Sequence, residues 1–204
     1  LSRLNAPLAA LCMNSIRNNV RSKLLGKDIG AGLKSVINRM KASSIRELLH
    51  SLQVWRENEV SQILAAQFEG YESVIEKLID KVQTINVIAE ACPTVDALHD
   101  RISNLFTDSR GPYVTYSSVH KAKGTESDKV FLLADTLRSH WVPPCGNCHH
   151  WNHPGKTCSR CDCHSYVEDK AWAKEEENIE YVGITRAINH LVLCEKNDAS
   201  NTRK

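Results

Sequence analysis

Apolar residues recur at helical spacing through the first half of the chain. The stretch DIGAGLKSVINRM places Ile29, Leu33, Val36, Ile37 and Met40 on one helical face. Similar spacing predicts helices over residues 6–20, 28–40, 44–66 and 71–91, and a last one over VDALHDRISNLF. A short strand, RSKLLG, separates the first two of these helices. The first half is therefore predicted to be mainly helical.

Polar residues mark where several of these helices begin and end. Ser44 and Glu47 have the Ser-x-x-Glu spacing of a capping box, in which each side chain binds a backbone N–H of the first turn. Pro93 ends the helix before it, and Thr94 can cap the next. The boundaries near residues 44 and 94 therefore have a physical cause.

The pattern changes after the turn DSRGP. YVTYSSVH, KVFLLA and HLVLC are rich in β-branched and apolar residues and predict strands. A helical pattern from about Glu168 to Arg186 precedes the last strand. Apolar strands that alternate with helices predict an α/β layer with a parallel sheet. The helices of the middle region then form an insertion in that layer.

Charge is unevenly distributed along the chain. Residues 1–43 carry eight Lys or Arg and one Asp, whereas residues 44–110 carry six basic and eleven acidic side chains, so the net charges are +7 and −5. A basic segment favours a partner with phosphates, although ordinary solvated faces give the same pattern. No apolar run is long enough to span a membrane and no signal peptide is visible. We expect a cytoplasmic or nucleoid-associated protein with no membrane partner.

Two polar stretches could carry chemistry. SSVHKAKGTESDKVFLL puts a polar loop between two strands, where ligands of open α/β sheets bind. Its His120, Lys121 and Lys123 can donate to phosphates, and Glu126 can accept from a sugar hydroxyl. EEENIEYVGITRA would leave Arg186 at the end of a helix, where the helix dipole favours a cation.

Together, in this order, the two stretches resemble motifs V and VI of UvrD/Rep/PcrA-type superfamily 1 DNA helicases. LSRLNAPL resembles a further motif of that family, with Leu4 where Thr is usual, and GKDIGAGL is similar to its short-form members. The resemblance covers residues 1–43, 111–135 and 168–195. It implies the RecA-like second lobe of a P-loop-NTPase-type fold.

The resemblance also implies roles for single residues. Arg186 would reach the ATP γ-phosphate from the second lobe as an arginine finger, Glu126 would bind the ribose, and His120 would lie near single-stranded DNA. Gly124 and Lys123 accompany Glu126 in the nucleotide-binding loop, where Thr125 replaces the usual Leu.

The chain contains neither G-x-x-x-x-G-K-[ST] nor an Asp-Glu motif for Mg²⁺. The resemblance therefore implies a C-terminal portion of an ATP-dependent helicase that moves 3′ to 5′ on single-stranded or partly duplex DNA. ATP with Mg²⁺ would be shared with a first RecA-like lobe, so the chain alone should not turn over ATP. The segments expected are lobe residues 1–43, a helical insertion 44–110, lobe residues 111–139, a zinc-binding insertion 140–166, and lobe residues with the tail 167–204.

Five of the eight cysteines lie between residues 145 and 163. Two C-x₂-C pairs predict a closed, zinc-ribbon-like structural site formed by Cys145, Cys148, Cys158 and Cys161. Cys163 and His164 are alternate ligands, and an iron–sulfur cluster could use the same thiolates. The other three, Cys12, Cys92 and Cys194, have apolar neighbours and are expected to be small buried residues.

Two other functions compete with the helicase motor. One is a non-catalytic, zinc-containing nucleic-acid-binding module that keeps a motor-like fold. The other is a helicase fused to a repair nuclease, whose nuclease domain would lie beyond this chain. A phosphate loop and an Asp-Glu motif upstream of Leu1 would decide for the motor.

Overall fold

The computed structural model describes residues 1–66, 68, 70–108, 111–137, 145–148, 163–164, 167 and 170–195. The chain divides into two compact units. The amino-terminal unit is Leu4–Lys121, and the carboxyl-terminal unit comprises Leu1–Arg3 and Ala122–Lys204. Among the described residues, no helix is long and apolar enough to cross a membrane.

The amino-terminal unit contains five helices and a pair of short strands. Its elements are α1 Asn5–Arg17, β1 Ser22–Leu24, α2 Lys27–Met40, α3 Ile45–Ala66, α4 Tyr71–Ala89, α5 Val95–Leu105 and β2 Val114–Tyr116. The strands are parallel, with Lys23 opposite Thr115. Helix α4 packs on α1, α3 and α5, and α2 packs on α5. The core is aliphatic and includes Leu8, Leu33, Leu52, Ile85, Ile88 and Ile102.

Two helix starts follow the predicted caps. The Thr94 hydroxyl accepts from the Ala97 N–H at 3.1 Å, and the Ser44 hydroxyl accepts from the Glu47 N–H at 3.2 Å. The Glu47 carboxylate binds back to Ser43, one residue earlier than the capping box requires. The Ser43 hydroxyl, and after it the Ser43 backbone N–H, donate to this carboxylate and lower the Glu47 pKa.

A buried carboxylate holds α1 against α4. Asp80 accepts from the backbone N–H groups of Asn5 and Ala6 at 2.9 Å each, and from the Asn5 side-chain amide at 2.9 Å. These N–H groups begin α1 and have no partner inside the helix. Asp80 therefore performs the function of an N-cap from another helix, and no local pattern in the sequence indicates it.

The carboxyl-terminal unit is built on a second parallel pair. Strand β3, Ser127–Leu133, pairs with β4, Ala187–Cys194, with Val130 opposite Leu191. A 3₁₀ turn, Ala134–Thr136, follows β3, and helix α6, Lys170–Ile184, precedes β4. The first residues of the chain join this unit, since the Leu133 N–H donates to the Leu1 carbonyl at 2.9 Å.

The architecture agrees with the predicted fold class in outline. The described residues form a mixed α/β structure with six α-helices and two small parallel sheets, which is consistent with a RecA-like C-terminal domain. One strand is shorter than predicted: β2 ends at Tyr116, whereas the strand pattern continues to Val119. The Ser117 hydroxyl donates to the Ser118 carbonyl, and a turn begins at Val119.

The isolated cysteines are only partly as predicted. Cys12 and Cys92 are buried, whereas Cys194 is partly exposed. Burial raises the pKa of Cys12 to about 12, because the interior disfavours a thiolate. Burial likewise raises the pKa of Cys92. Cys12 and Cys92 therefore behave as small apolar residues.

Candidate nucleotide-binding and metal-binding residues

The loop before β3 is shaped by one glycine and one threonine. Gly124 has a φ of +82°, a left-handed conformation that residues with a Cβ adopt only with strain. The next residue, Thr125, donates from its N–H and its hydroxyl to the Ala122 carbonyl, at 3.0 and 2.8 Å. Gly124 thus provides the turn that places Glu126 immediately before β3.

The predicted polar residues of this loop are all exposed. His120 is exposed in the amino-terminal unit, and Lys123, Gly124 and Glu126 are exposed in the carboxyl-terminal unit. Lys121, also expected to donate to phosphates, pairs instead with Asp28 at 2.8 Å and lowers the Asp28 pKa through a side-chain hydrogen bond. Such exposed pairs contribute little stability.

Arg186 lies two residues beyond the end of α6 and is half-buried. Its Nε donates to the Val182 carbonyl at 3.0 Å. Its Nη1 donates to the Thr125 carbonyl at 3.1 Å, and its Nη2 donates to the Thr185 hydroxyl at 2.9 Å. Three acceptors within this unit therefore hold the guanidinium.

All three acceptors of Arg186 are uncharged. Among the side chains that the structure describes, no carboxylate forms an ion pair with it. Each terminal nitrogen of a guanidinium carries two N–H groups, so each retains a donor beyond these bonds. Among the described residues, neutral partners alone therefore fix the orientation of the guanidinium.

Arg186 also joins the two predicted motifs. Its carbonyl accepts from the Ser127 N–H at 3.0 Å, and its side chain binds the carbonyl of Thr125. These contacts flank Glu126 on both sides in the sequence. The sequence pattern does not indicate that Thr185 and Thr125 bind Arg186. Thr185 is adjacent to Arg186 in the chain, a usable signal, whereas the Thr125 contact spans 61 residues.

The cysteine-rich segment brings three thiols together. The sulfur atoms of Cys145, Cys148 and Cys163 all lie within 4.8 Å of one another, and those of Cys145 and Cys163 are 4.0 Å apart. Cys163 was only an alternate ligand in the prediction. Cys158 and Cys161, two of the four predicted ligands, lie outside the described residues. His164, the other alternate ligand, follows Cys163 in the chain and is not one of the three clustered residues. A cluster of three thiols is compatible with zinc.

Backbone N–H groups surround the Cys145 sulfur. Burial raises the pKa of this thiol, but hydrogen bonds from the backbone N–H groups of Val167, Asn147 and Cys148 outweigh burial and lower the pKa to about 6. The Gly146 N–H in turn donates to the Val167 carbonyl at 2.6 Å. The environment of Cys145 thus favours a thiolate, the form that binds metals.

Residues 34–197 match the family described as the UvrD-like helicase C-terminal domain. The chain belongs to this UvrD-like helicase family. A search of curated proteins gave no match. The matched residues include both candidate motifs, the helices of the middle region and the cysteine-rich segment, while LSRLNAPL and GKDIGAGL lie before residue 34.

Membership of the UvrD-like family indicates part of a helicase motor and, with it, nucleic-acid binding. Fold does not by itself assign roles to residues. The roles of Arg186, Glu126 and the thiol cluster therefore depend on their own geometry.

Proposed function

We propose that this chain is the second motor lobe of an ATP-dependent DNA helicase that moves 3′ to 5′ on single-stranded or partly duplex DNA. ATP with Mg²⁺ would bind between this lobe and a first RecA-like lobe of the same protein. The family match supports the motor. The observation that carries the assignment of the site is the guanidinium of Arg186, which is oriented by three neutral acceptors.

Arg186 is proposed as the arginine finger. Phosphoryl transfer spreads negative charge over the oxygens of the γ-phosphate, and a positioned guanidinium stabilises that charge. A finger must be held firmly before the reaction and must not be neutralised by a carboxylate. The described surroundings of Arg186 meet both conditions, because its partners are two carbonyls and a hydroxyl.

The neighbouring loop is proposed to bind the nucleotide. Glu126 would accept from a ribose hydroxyl, with Gly124 shaping the turn and Lys123 beside it. The exposure of all three supports this role, since a ligand can reach them. Arg186 forms hydrogen bonds with the backbone on either side of Glu126. A nucleotide whose ribose is bound by Glu126 would therefore be held at a fixed position relative to the guanidinium. His120 is proposed to contact DNA.

Substitution of Arg186 in the full-length helicase tests the proposal. Arg186→Ala removes three hydrogen bonds from a charged donor. Because the site is half-buried and water can replace part of each bond, we expect a loss of stability of about 1–3 kcal/mol. Loss of a finger should lower kcat by about 10³–10⁵, or roughly 4–7 kcal/mol in barrier height. Hydrolysis should therefore fall well beyond any loss of folded protein.

The assay is DNA-stimulated ATP hydrolysis per folded molecule, with the melting temperature measured on the same preparation. Arg186→Lys should rescue little, because lysine lacks the planar fork. Arg46→Ala, which removes an exposed arginine of α3, is the control and should hydrolyse normally. If Arg186→Ala keeps near-normal turnover, the finger is wrong, and if the unsubstituted protein does not hydrolyse ATP, the non-catalytic module is favoured.

A further inference from the structure

The thiol cluster has no part in the proposed motor chemistry. We propose that Cys145, Cys148 and Cys163 bind one structural Zn²⁺ ion. This set differs from the two C-x₂-C pairs that the sequence suggests, because Cys163 supplies the third thiolate. The three sulfurs already lie within 4.8 Å of one another.

The spacing of the sulfur atoms fits a zinc ion. Zn–S bonds of about 2.3 Å in tetrahedral geometry separate neighbouring sulfurs by about 3.8 Å. The Cys145 and Cys163 sulfurs are 4.0 Å apart, and no pair exceeds 4.8 Å. The thiols would thus need to approach one another by at most about 1 Å to reach the zinc geometry.

Hydrogen bonds around Cys145 prepare it as a ligand. Three backbone N–H groups, from Val167, Asn147 and Cys148, point at its sulfur. Two of these come from the turn that begins at Cys145 itself, so the Cys-x₂-Cys turn presents N–H groups to its own first sulfur. Cys145 is fully buried, whereas Cys148 and Cys163 are partly exposed.

A disulfide is a poorer explanation of the same three residues. A disulfide requires an S–S distance of about 2.05 Å, whereas the Cys145 and Cys163 sulfurs are 4.0 Å apart and all three cysteines are free thiols. It would also join only two of the three thiols. One metal ion, in contrast, can bind all three sulfurs, which lie within 4.8 Å of one another.

The position of the cluster suggests what the ion stabilises. The Val167 N–H donates to the Cys145 sulfur, and the Val167 carbonyl accepts from the Gly146 N–H. Helix α6 begins three residues later, at Lys170. Helix α6 leads to Arg186 at its other end. Zinc would therefore anchor the segment that leads into α6, and its removal should loosen the first turns of α6 before the last.

Metal analysis of the full chain, purified without added metal, tests this site. We expect about one zinc per chain. Cys145→Ser, Cys148→Ser and Cys163→Ser should each lose most of it, whereas Cys194→Ser, which alters a partly exposed thiol of β4, should retain it. Amide exchange after chelation should rise in the first turns of α6 while β3 stays protected.

Some variants could unfold, so a second measurement uses unsubstituted protein. Co²⁺ in place of zinc should give the intense sulfur-to-metal absorption of a site with at least three thiolates. The proposal is overturned if iron or no metal is found, or if the mass shows a disulfide. It is also overturned if Cys163→Ser retains zinc while Cys158→Ser and Cys161→Ser lose it.

Discussion

Thr185 should act on ATP hydrolysis through Arg186 alone. Its hydroxyl accepts from Nη2 of the guanidinium at 2.9 Å and donates to the Val182 carbonyl at 3.2 Å. Thr185→Val keeps the shape of the side chain and removes both bonds. The terminal nitrogen that would face a phosphate then loses one of its fixed contacts.

The size of the effect follows from the type of bond. A hydrogen bond from a charged donor is worth about 1.5–3 kcal/mol, and the half-burial of both residues favours the lower end. Each 1.36 kcal/mol corresponds to a factor of ten in rate. We therefore expect Thr185→Val to lower kcat about tenfold, with little change in KM for ATP. Thr185→Ser retains the hydroxyl and should restore most of the rate.

A double-mutant cycle makes this test strict. DNA-stimulated phosphate release is measured in the full-length protein for Thr185→Val, for Arg186→Ala and for both together. If Thr185 acts by orienting Arg186, the valine should change the residual rate less than about twofold once Arg186 is absent, because coupled residues are not additive. An equal tenfold loss in both backgrounds would refute the reasoning, and so would a serine variant as slow as the valine one.

Two further predictions concern the amino-terminal unit. Asp80→Ala leaves the first N–H groups of α1 without their buried acceptor. It should cost about 2–4 kcal/mol of stability, or lower the Tm in thermal unfolding by roughly 5–15 °C. The control Asp100→Ala, on the exposed side of α5, should change stability by less than about 0.5 kcal/mol, and equal effects would contradict the capping role of Asp80. Cys12 should resist iodoacetamide in the native protein at the alkaline pH where ordinary thiols react. Since its folded pKa of about 12 exceeds the usual 9.0, stability should fall as pH rises above 9, and fast native labelling seen by mass spectrometry would contradict its burial.

Local patterns predicted the helices well, while contacts distant in sequence escaped them. The helical period and the caps at Ser44 and Thr94 depend on neighbouring residues, and both caps are present. The bond between Asp80 and Asn5 spans 75 residues, and no periodicity encodes it. Strand β2 is shorter than predicted because a turn begins at Val119, and β-propensity alone does not indicate that turn.

The candidate site shows the same division. The motifs indicate Arg186 and Glu126, but one of the three hydrogen bonds that hold Arg186 ends at Thr125, which comes near Arg186 through the pairing of β3 with β4. Cys163 ranked below the paired cysteines because spacing alone cannot distinguish thiols that are close in sequence. The geometry places Cys163 with Cys145 and Cys148.

The central claim is that Arg186 stabilises the transition state of ATP hydrolysis from this lobe. The most direct measurement is the affinity of the full-length protein for ADP with Mg²⁺ and aluminium fluoride, an analogue of that state, beside its affinity for ADP alone. We predict that Arg186→Ala abolishes the tight binding of the analogue and leaves the binding of ADP nearly unchanged, because the finger meets only the transferred group. If the variant binds the analogue as tightly as the unsubstituted protein does, Arg186 is not the finger.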